Sequence, residues 1–351
     1  MAASLTQVAI ITRKTIRYGS YVIILLIFAK IAFDSGYRIY RYYFPLPPPV
    51  PTVSFSKLPL LPFPKKDKVG FSYTLETPEG GLPKLADQAR VYFMPQYSSN
   101  LLALDTAKQN AESLGFDAGS AQEISQTVYR FTSKQAPSIL EMNIITGSFS
   151  ISFDFSKDPS PLQNKPPLPD IAANQVKSYL SSANLLPKDL DGPYSQEYLK
   201  FQDGKLVQGL SVSDSNLIKI KLFRKSYDNN IPSLTPNPND ANIWFMVSGE
   251  TQRGKSIPTG EYHYFPVDNN KSSTYPLKKL EDAWNELNGG NAYVASMGDN
   301  KDGNGVKIRR VYLAYYDPGV PTEFFQPIYV FEGDKGFIGY VPAVDTKYYG
   351  S

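Results

Sequence analysis

The sequence predicts an α+β protein on a single N-terminal transmembrane helix. A proline-rich stalk follows, and then helix-plus-antiparallel-sheet repeats arranged in two domains. Three observations predict this. One strongly apolar run, Tyr18 to Phe33, lies near the N-terminus. Eight prolines crowd residues 45–64. Beyond them, segments with a helical apolar period are each followed by segments that alternate apolar and polar.

The chain has 351 residues, 42% hydrophobic and 20% charged, which suits a folded protein of two ordinary domains. Its mean hydropathy of -0.30 excludes a polytopic membrane protein. With no cysteine, a disulfide scaffold, a thiolate zinc site and a cysteine nucleophile are excluded. The single histidine, His263, excludes multi-histidine metal sites. Net charge is +3, but residues 1–44 hold Arg13, Lys14, Arg17, Lys30, Arg38 and Arg41 against Asp34 alone. The rest of the chain is therefore slightly acidic and has no electrostatic footprint for nucleic acid.

Residues 1–44 read as a cytoplasmic tip and a membrane anchor. The 16 residues from Tyr18 to Phe33 rise about 24 Å as a helix, short of a hydrocarbon core about 30 Å thick. Snorkelling of Lys30 and a belt of Tyr37, Tyr40, Tyr42 and Tyr43 make up the difference. Arg13, Lys14 and Arg17 favour a cytoplasmic N-terminus and an extracytoplasmic body. The alternatives are a cleaved signal peptide, against which the lack of A-x-A spacing counts, and a buried or interfacial helix.

Residues 45–70 read as the stalk, in extended polyproline II form, with a proline-rich docking ligand as the alternative. Residues 71–158 form the expected first domain. Pro159, Pro161, Pro166, Pro167 and Pro169 mark a linker over 159–169, and 170–351 form a second domain of two helix-plus-sheet units. Asn229 to Asn242 reads as a long surface loop.

The first helix shows Leu104, Ala107, Ala111 and Leu114 on one face, with Gly115 as its stop. The second shows Ala172, Val176, Tyr179, Leu180 and Ala183, with Asp170 as N-cap. The third shows Leu277, Leu280, Ala283, Trp284 and Leu287, opened by Pro276 and closed by Gly289-Gly290. Leu140, Met142 and Ile144 alternate with polar residues, turn at Thr146-Gly147, and resume with Phe149, Ile151, Phe153 and Phe155. Further strands are expected around Ile218–Leu222, Ile243–Val247, Ile308–Tyr316, Phe324–Phe331 and Phe337–Val344.

This helix and hairpin with its Thr-Gly turn resemble the PepSY type of extracytoplasmic domain. The C-terminal part is similar to the YycH/YycI group of membrane-anchored regulators, through Ala283-Trp284-Asn285-Glu286-Leu287, Ile308 to Tyr316, and Phe324 to Gly333. The resemblance covers roughly 277–344, and 101–155 more loosely. It implies one membrane helix and an outer body that contacts and restrains a membrane sensor.

Gly249-Glu250-Thr251-Gln252-Arg253-Gly254-Lys255-Ser256 matches the phosphate-binding P-loop pattern after a strand-like run. A P-loop must open a helix, and Pro258 and Gly260 oppose one, so a hairpin loop is expected and no nucleotide partner. Asp299 to Gly305 has the flavour of a calcium loop, but Lys301 and Arg310 occupy ligand places, so a turn is expected. Glu261 and His263 share one strand face and could form a proton-transfer pair; no nucleophile motif accompanies them. Tyr312, Tyr315, Tyr316 and Tyr329 offer either core packing or a sugar-stacking patch.

No residue is assigned a catalytic, cofactor-binding or metal-binding role. The expected function is that of a non-enzymatic, single-pass, extracytoplasmic binding or regulatory module, whose partners are the membrane and a membrane sensor or other envelope protein. The alternatives are an envelope hydrolase, a cell-wall glycan-binding protein and a structural spacer. A broad apolar patch would favour the module, and a deep polar cleft with carboxylates the enzyme.

Overall fold

A computed structural model of the chain describes residues 5–44, 49–65, 70–97, 101–228, 230–301, 303 and 305–350. Two units emerge, Met1–Val50 and Pro51–Ser351. In the first, the apolar run is the middle of one helix, α1 (Leu5–Tyr43), of 39 residues and about 58 Å. It is long and apolar enough to cross a membrane, and its side chains are uncovered. The Thr12, Thr15 and Ser20 hydroxyls donate to the carbonyls of Val8, Ile11 and Arg17, so these polar groups are satisfied within the helix. The expected deficit in length disappears because helix continues on both sides of Tyr18–Phe33.

The body alternates strands with three helices. Its first elements are β1 (Ser72–Leu75), β2 (Gln88–Phe93), α2 (Ala103–Leu114), β3 (Gln122–Glu123), β4 (Val128–Thr132), β5 (Ser138–Asn143) and β6 (Phe149–Phe153). Next come α3 (Pro169–Ser182), β7 (Tyr194–Gln202), β8 (Lys205–Gln208), β9 (Leu217–Leu222), β10 (Ser233–Leu234), β11 (Ile243–Val247) and β12 (Thr259–Tyr262). The last are β13 (Asp268–Pro276), α4 (Leu280–Asn288), β14 (Tyr293–Ser296), β15 (Gly305–Tyr316), β16 (Phe324–Phe325), β17 (Pro327–Gly333) and β18 (Ile338–Pro342).

Among the described residues these strands form three sheets. A nine-stranded sheet runs β3-β4-β5-β6-β12-β11-β9-β7-β8 and is antiparallel throughout. Its greasy face buries Leu140, Phe149, Ile151, Ile220 and Phe245 against Ala107, Ala111 and Leu114 of α2 and Ala172, Val176 and Leu180 of α3. Each of the two helices thus lays its small-residue stripe on the sheet. Gly115, at φ +97°, ends α2 in the left-handed conformation that glycine adopts without strain. Gly260 lets the Phe245 ring lie against the neighbouring backbone, since a Cβ there would sit 2.1 Å from that ring.

The six-stranded sheet runs β1-β15-β17-β18-β14, with β10 also paired to β15. One face packs Val311, Phe331 and Val341 against Leu280, Ala283 and Leu287 of α4, and the other buries Ala314, Tyr316, Val330 and Tyr340. A three-stranded sheet, β13-β2-β16, completes the body.

Several expectations change. The 159–169 segment does not separate two sheets, because β6 pairs with β12 across it, Phe149 opposite Tyr262. The expected first unit and half of the second share one core, and the change of sheet comes after β12. The six-stranded sheet is mixed, since β1 and β10 both join β15 in parallel. Asn229 itself lies outside the described residues; the rest of the expected surface loop carries β10 and buries Thr235. Asp170 lies in the first turn of α3, where Leu168 holds the N-cap position and Pro169 opens the helix. Pro276 ends β13, and α4 begins at Leu280.

The stalk also changes. Pro45, Pro47 and Pro48 lie outside the described residues, but from Pro51 onward the segment is a strap on the body. The Val53 N–H donates to the Thr274 carbonyl, that of Phe55 to the Tyr275 hydroxyl, that of Leu58 to the Tyr348 carbonyl and that of Leu61 to the Tyr349 hydroxyl. Leu58 is buried with Val91, Tyr275 and Val344. The physical reason is composition: Val53, Phe55, Leu58, Leu61 and Phe63 interrupt the prolines with apolar side chains that a solvated stalk would leave in water.

Candidate functional site

The P-loop-like residues connect β11 to β12 as a hairpin, with Met246 opposite Thr259, and no helix follows. Three polar side chains of that loop have structural roles. Arg253 donates to the Ser113 and Glu112 carbonyls at 2.5 and 3.3 Å, covering the C-terminal end of α2, where a cation is favoured. Lys255 pairs with Asp158 at 2.8 Å and donates to the Ser160 hydroxyl. The amide of Asn164 donates to Glu250 at 2.7 Å. The loop therefore clamps the proline-rich 158–165 segment onto the nine-stranded sheet.

His263 and Glu261 do share a face, 3.8 Å apart and both partly exposed, but Glu261 also accepts from the Trp244 indole. In the Asp299–Gly305 segment, where a turn was expected, Asp302 and Asn304 lie outside the described residues. Asn300 is buried, with its amide on the Met297 and Asp334 carbonyls, and Gly303 has φ +81°. The segment links β14 and β15, which are not neighbours in the sheet, so it is a crossover and not a hairpin turn. No cluster of three metal-ligating side chains occurs among the described residues. Tyr315, Tyr316 and Tyr329 are core residues, while Tyr312 is partly buried beneath Arg310.

Three sites were not singled out from the sequence. Where the nine-stranded sheet meets the other two, Arg224 is 2% exposed and ion-paired with Asp189 at 2.6 Å and Asp317 at 2.7 Å. It also donates to the Phe265 carbonyl and stacks on Tyr264. Burial opposes the guanidinium charge, but the two carboxylates outweigh it and raise its pKa above the ordinary arginine value. One signal could have found it: Ile220, Leu222 and Arg224 are two residues apart, so the strand phase aims the arginine into the core.

Beside this knot lies a polar cleft of about 590 Å³ between Lys188, Asp189, Tyr227 and Asp228 on one side and Arg90, Tyr92 and Asn269 on the other. All its carboxylate oxygens are engaged. Asp189 accepts from Arg224, Tyr227 and Tyr264. Asp228 accepts from Arg90 at 2.9 Å and from the hydroxyls of Tyr92 and Tyr315, each at 2.6 Å. Burial, then the bond to Asp228, pushes the Tyr92 hydroxyl up to about 12, so it remains a donor at neutral pH. Through Asp228 this arrangement ties β2 to β15.

The third site is a groove of about 300 Å³ between the strap and the loop after β15. Pro59, Leu60, Leu61 and Pro62 form one wall and Pro318, Pro321, Thr322 and Phe324 the other, with Tyr316 and Gln326 also lining it. The two are backbone partners, the Tyr316 N–H at the end of β15 donating at 3.0 Å to the carbonyl of Gln326, which lies between β16 and β17. Their side chains are buried, and the Tyr316 hydroxyl and Gln326 Oε1 have no hydrogen-bond partner among the described residues. No sequence pattern marks this site, because its walls are separated by more than 250 residues.

No family model matches the chain, and no curated protein matches it. Among solved structures, the Bacillus megaterium YpeB C-terminal domain is similar at 13% identity and a TM-score of 0.33, over 72% of this chain and 96% of that one. An uncharacterized protein from Eubacterium rectale is similar at 11% identity and a TM-score of 0.34, over 73% of this chain and 82% of that one. Likeness this slight carries nothing to function.

Proposed function

We propose that the chain is a single-pass membrane protein whose body, Pro51–Ser351, lies outside the cytoplasm and binds a protein partner rather than catalysing a reaction. The observation that carries this reading is α1, which is long, apolar and uncovered, so that a bilayer is the natural solvent for its surface. Arg13, Lys14 and Arg17 before the apolar run favour the cytoplasmic N-terminus. The engagement of Asp189 and Asp228 supports binding over catalysis. A membrane sensor is the partner that the regulatory form of this reading requires.

The cysteine-free sequence offers a direct test. In intact cells, a membrane-impermeant maleimide should label Ser272→Cys, an exposed position on β13, and should label Ser4→Cys only after permeabilisation. The reverse pattern would invert the orientation. Labelling of neither in intact cells, together with release of the chain by alkaline carbonate, would remove the membrane from the account.

A further inference from the structure

The strap holds to the body in two different ways. From Leu58 onward it is seated. Leu58 is buried and pairs in parallel with Tyr349; its N–H donates to the Tyr348 carbonyl at 2.8 Å, and its carbonyl accepts from the Gly350 N–H at 2.9 Å. Leu61 is buried with Tyr293 and Tyr316. Between Thr52 and Ser56 the grip is lighter. Thr52, Ser54 and Ser56 are exposed, and Val53 and Phe55 are only partly buried. Among the described residues, one bond between backbone groups, from the Val53 N–H to the Thr274 carbonyl, joins this part to β13. The other hydrogen bonds to β13 use hydroxyls. The Thr52 and Thr274 N–H groups each donate to the other's Oγ1, at 2.9 and 3.0 Å. The Ser54 N–H donates to Ser273 Oγ at 2.7 Å. The Tyr275 hydroxyl accepts from the Phe55 N–H at 2.9 Å and donates to the Ser56 carbonyl at 3.0 Å.

This lighter part is also strained. Val53 has φ +48° and Ser56 has φ +56°. Both lie in the left-handed region, where an L side chain crowds the following carbonyl, and for a β-branched residue such as Val53 that conformation is an outlier. Such conformations persist where surrounding contacts impose them, and they gather at switch segments. Here β13 imposes them, chiefly through the hydroxyls of Ser273, Thr274 and Tyr275. Opening would relax both residues and give up one apolar contact of note, the Phe55 ring 4.9 Å from that of Phe324. Leu58 and Leu61 would stay in place. Chain order gives this a consequence. A displacement arriving along the chain from α1, which ends at Tyr43, reaches Thr52–Ser56 before it reaches the buried leucines or the sheets.

We propose that Thr52–Ser56 is a clip, a two-state element that opens and closes on β13 while the strap from Leu58 onward stays seated. Opening frees residues 52–57. At about 3.5 Å per extended residue, the link between α1 and the body then lengthens by up to about 20 Å without the unfolding of a sheet. The clip thereby sets the reach of the body from α1. This goes beyond the binding reading and depends neither on what the body binds nor on which side of a membrane it lies.

The test uses the full chain in detergent micelles, with hydrogen exchange read at single amides. Val53, Ser54 and Phe55 should exchange together, at least about a hundredfold faster than Leu58 and Leu61. Tyr275→Phe removes the hydroxyl that bridges Phe55 and Ser56, and should speed the three clip amides about tenfold. Ser56→Gly should slow them about threefold, because glycine adopts φ +56° without strain. The two variants thus act in opposite directions, and neither should change Leu58 or Leu61. Pulling in an optical trap between Val50→Cys and Lys279→Cys, both at exposed positions, should give a reversible lengthening of up to about 20 Å before the body unfolds. One common rate for all five amides would overturn the proposal, as would a failure of Ser56→Gly to slow the clip. So would a body that unfolds without the earlier step.

Discussion

The nine-stranded sheet takes its strands from residues 122–262 in a single pass, with one excursion to β10. The six-stranded sheet instead takes β1 from residue 72, β10 from 233 and its remaining strands from 293 onward. In the first, most sheet neighbours are also neighbours along the chain, through short hairpins such as β5–β6 and β7–β8, and one long-range pair, β6–β12, joins the two groups. In the second, two strands enter in parallel from distant parts of the chain, and a strap from the N-terminal side covers one edge of the structure. The difference teaches that one body can contain a sheet built mainly from local hairpins and a sheet to whose local hairpins distant segments add strands. Arg224 stands where the two meet, reaching Asp189 beside the first sheet and Asp317 at the end of β15.

That junction sets the largest expected effect. Arg224→Met would leave Asp189 and Asp317 without their common cation in a nearly dry site, a loss of about 3–5 kcal/mol. Hydrogen exchange should then rise in both sheets together, and denaturant should unfold the body at lower concentration. Protection lost in one sheet alone would show that the halves are not coupled through this arginine.

A second change addresses only the discontinuous half. Leu58 is 1% exposed beneath the strap, and Leu58→Ala should cost about 2–4 kcal/mol. Exchange should accelerate in β13 and in the strap, with β5, β6 and β11 untouched. If the nine-stranded sheet loosened equally, the contrast between a local and an assembled half would fail.

Trp284→Ala comes next. From the sequence, Trp284 belongs to the buried face of its helix, which would put the cost at that of a core tryptophan. In the structure Ala283 and Leu287 hold that face, and Trp284 is only partly buried, with its ring 6.0 Å from that of Phe331. The expected loss is therefore smaller, about 1–2 kcal/mol. Phe331→Ala, at a fully buried position, should cost about 3–5 kcal/mol in the same denaturation experiment. Equal losses would return the tryptophan to the core.

What could be read in the sequence follows the same division. The Leu140–Phe153 hairpin, Ile218–Leu222, Ile243–Val247 and the three helices are all visible in short windows, because each alternates or repeats at the period of its own backbone. The parallel joins of β1 and β10 to β15 leave no such trace. A short strand added to a distant edge has no period to display. The strap was concealed differently, since prolines dominate its composition while a few apolar side chains decide where it lies. The candidate groove was illegible for both reasons, having one wall on the strap and the other after β15. Arg224 alone was visible in principle, through its phase with Ile220 and Leu222.

The smallest expected effect concerns the loop that resembles a phosphate-binding motif. Lys255, the residue that would contact phosphate in a true P-loop, instead pairs with Asp158 at 2.8 Å. The hydrogen bond from Lys255, helped by those from Ser160, holds the Asp158 carboxyl down at about 2, against an ordinary 3.8. A carboxylate with a depressed folded-state pKa stabilises the fold above its ordinary value, and that contribution is lost as pH falls through the folded value. Lys255→Ala should therefore lower the melting temperature slightly at pH 7, and the gap from the unsubstituted protein should close as pH falls from about 4 to 2. A gap that persists at pH 2 would mean that Lys255 acts through packing rather than through this pair. Added nucleotide separates the remaining reading: a rise in melting temperature with ATP, abolished by Lys255→Ala, would make the loop a phosphate site after all. With Arg253 committed to the end of α2 and Glu250 to Asn164, the expected result is no rise, and the loop's lysine is then a clamp on the chain segment that joins the two helical units of the nine-stranded sheet.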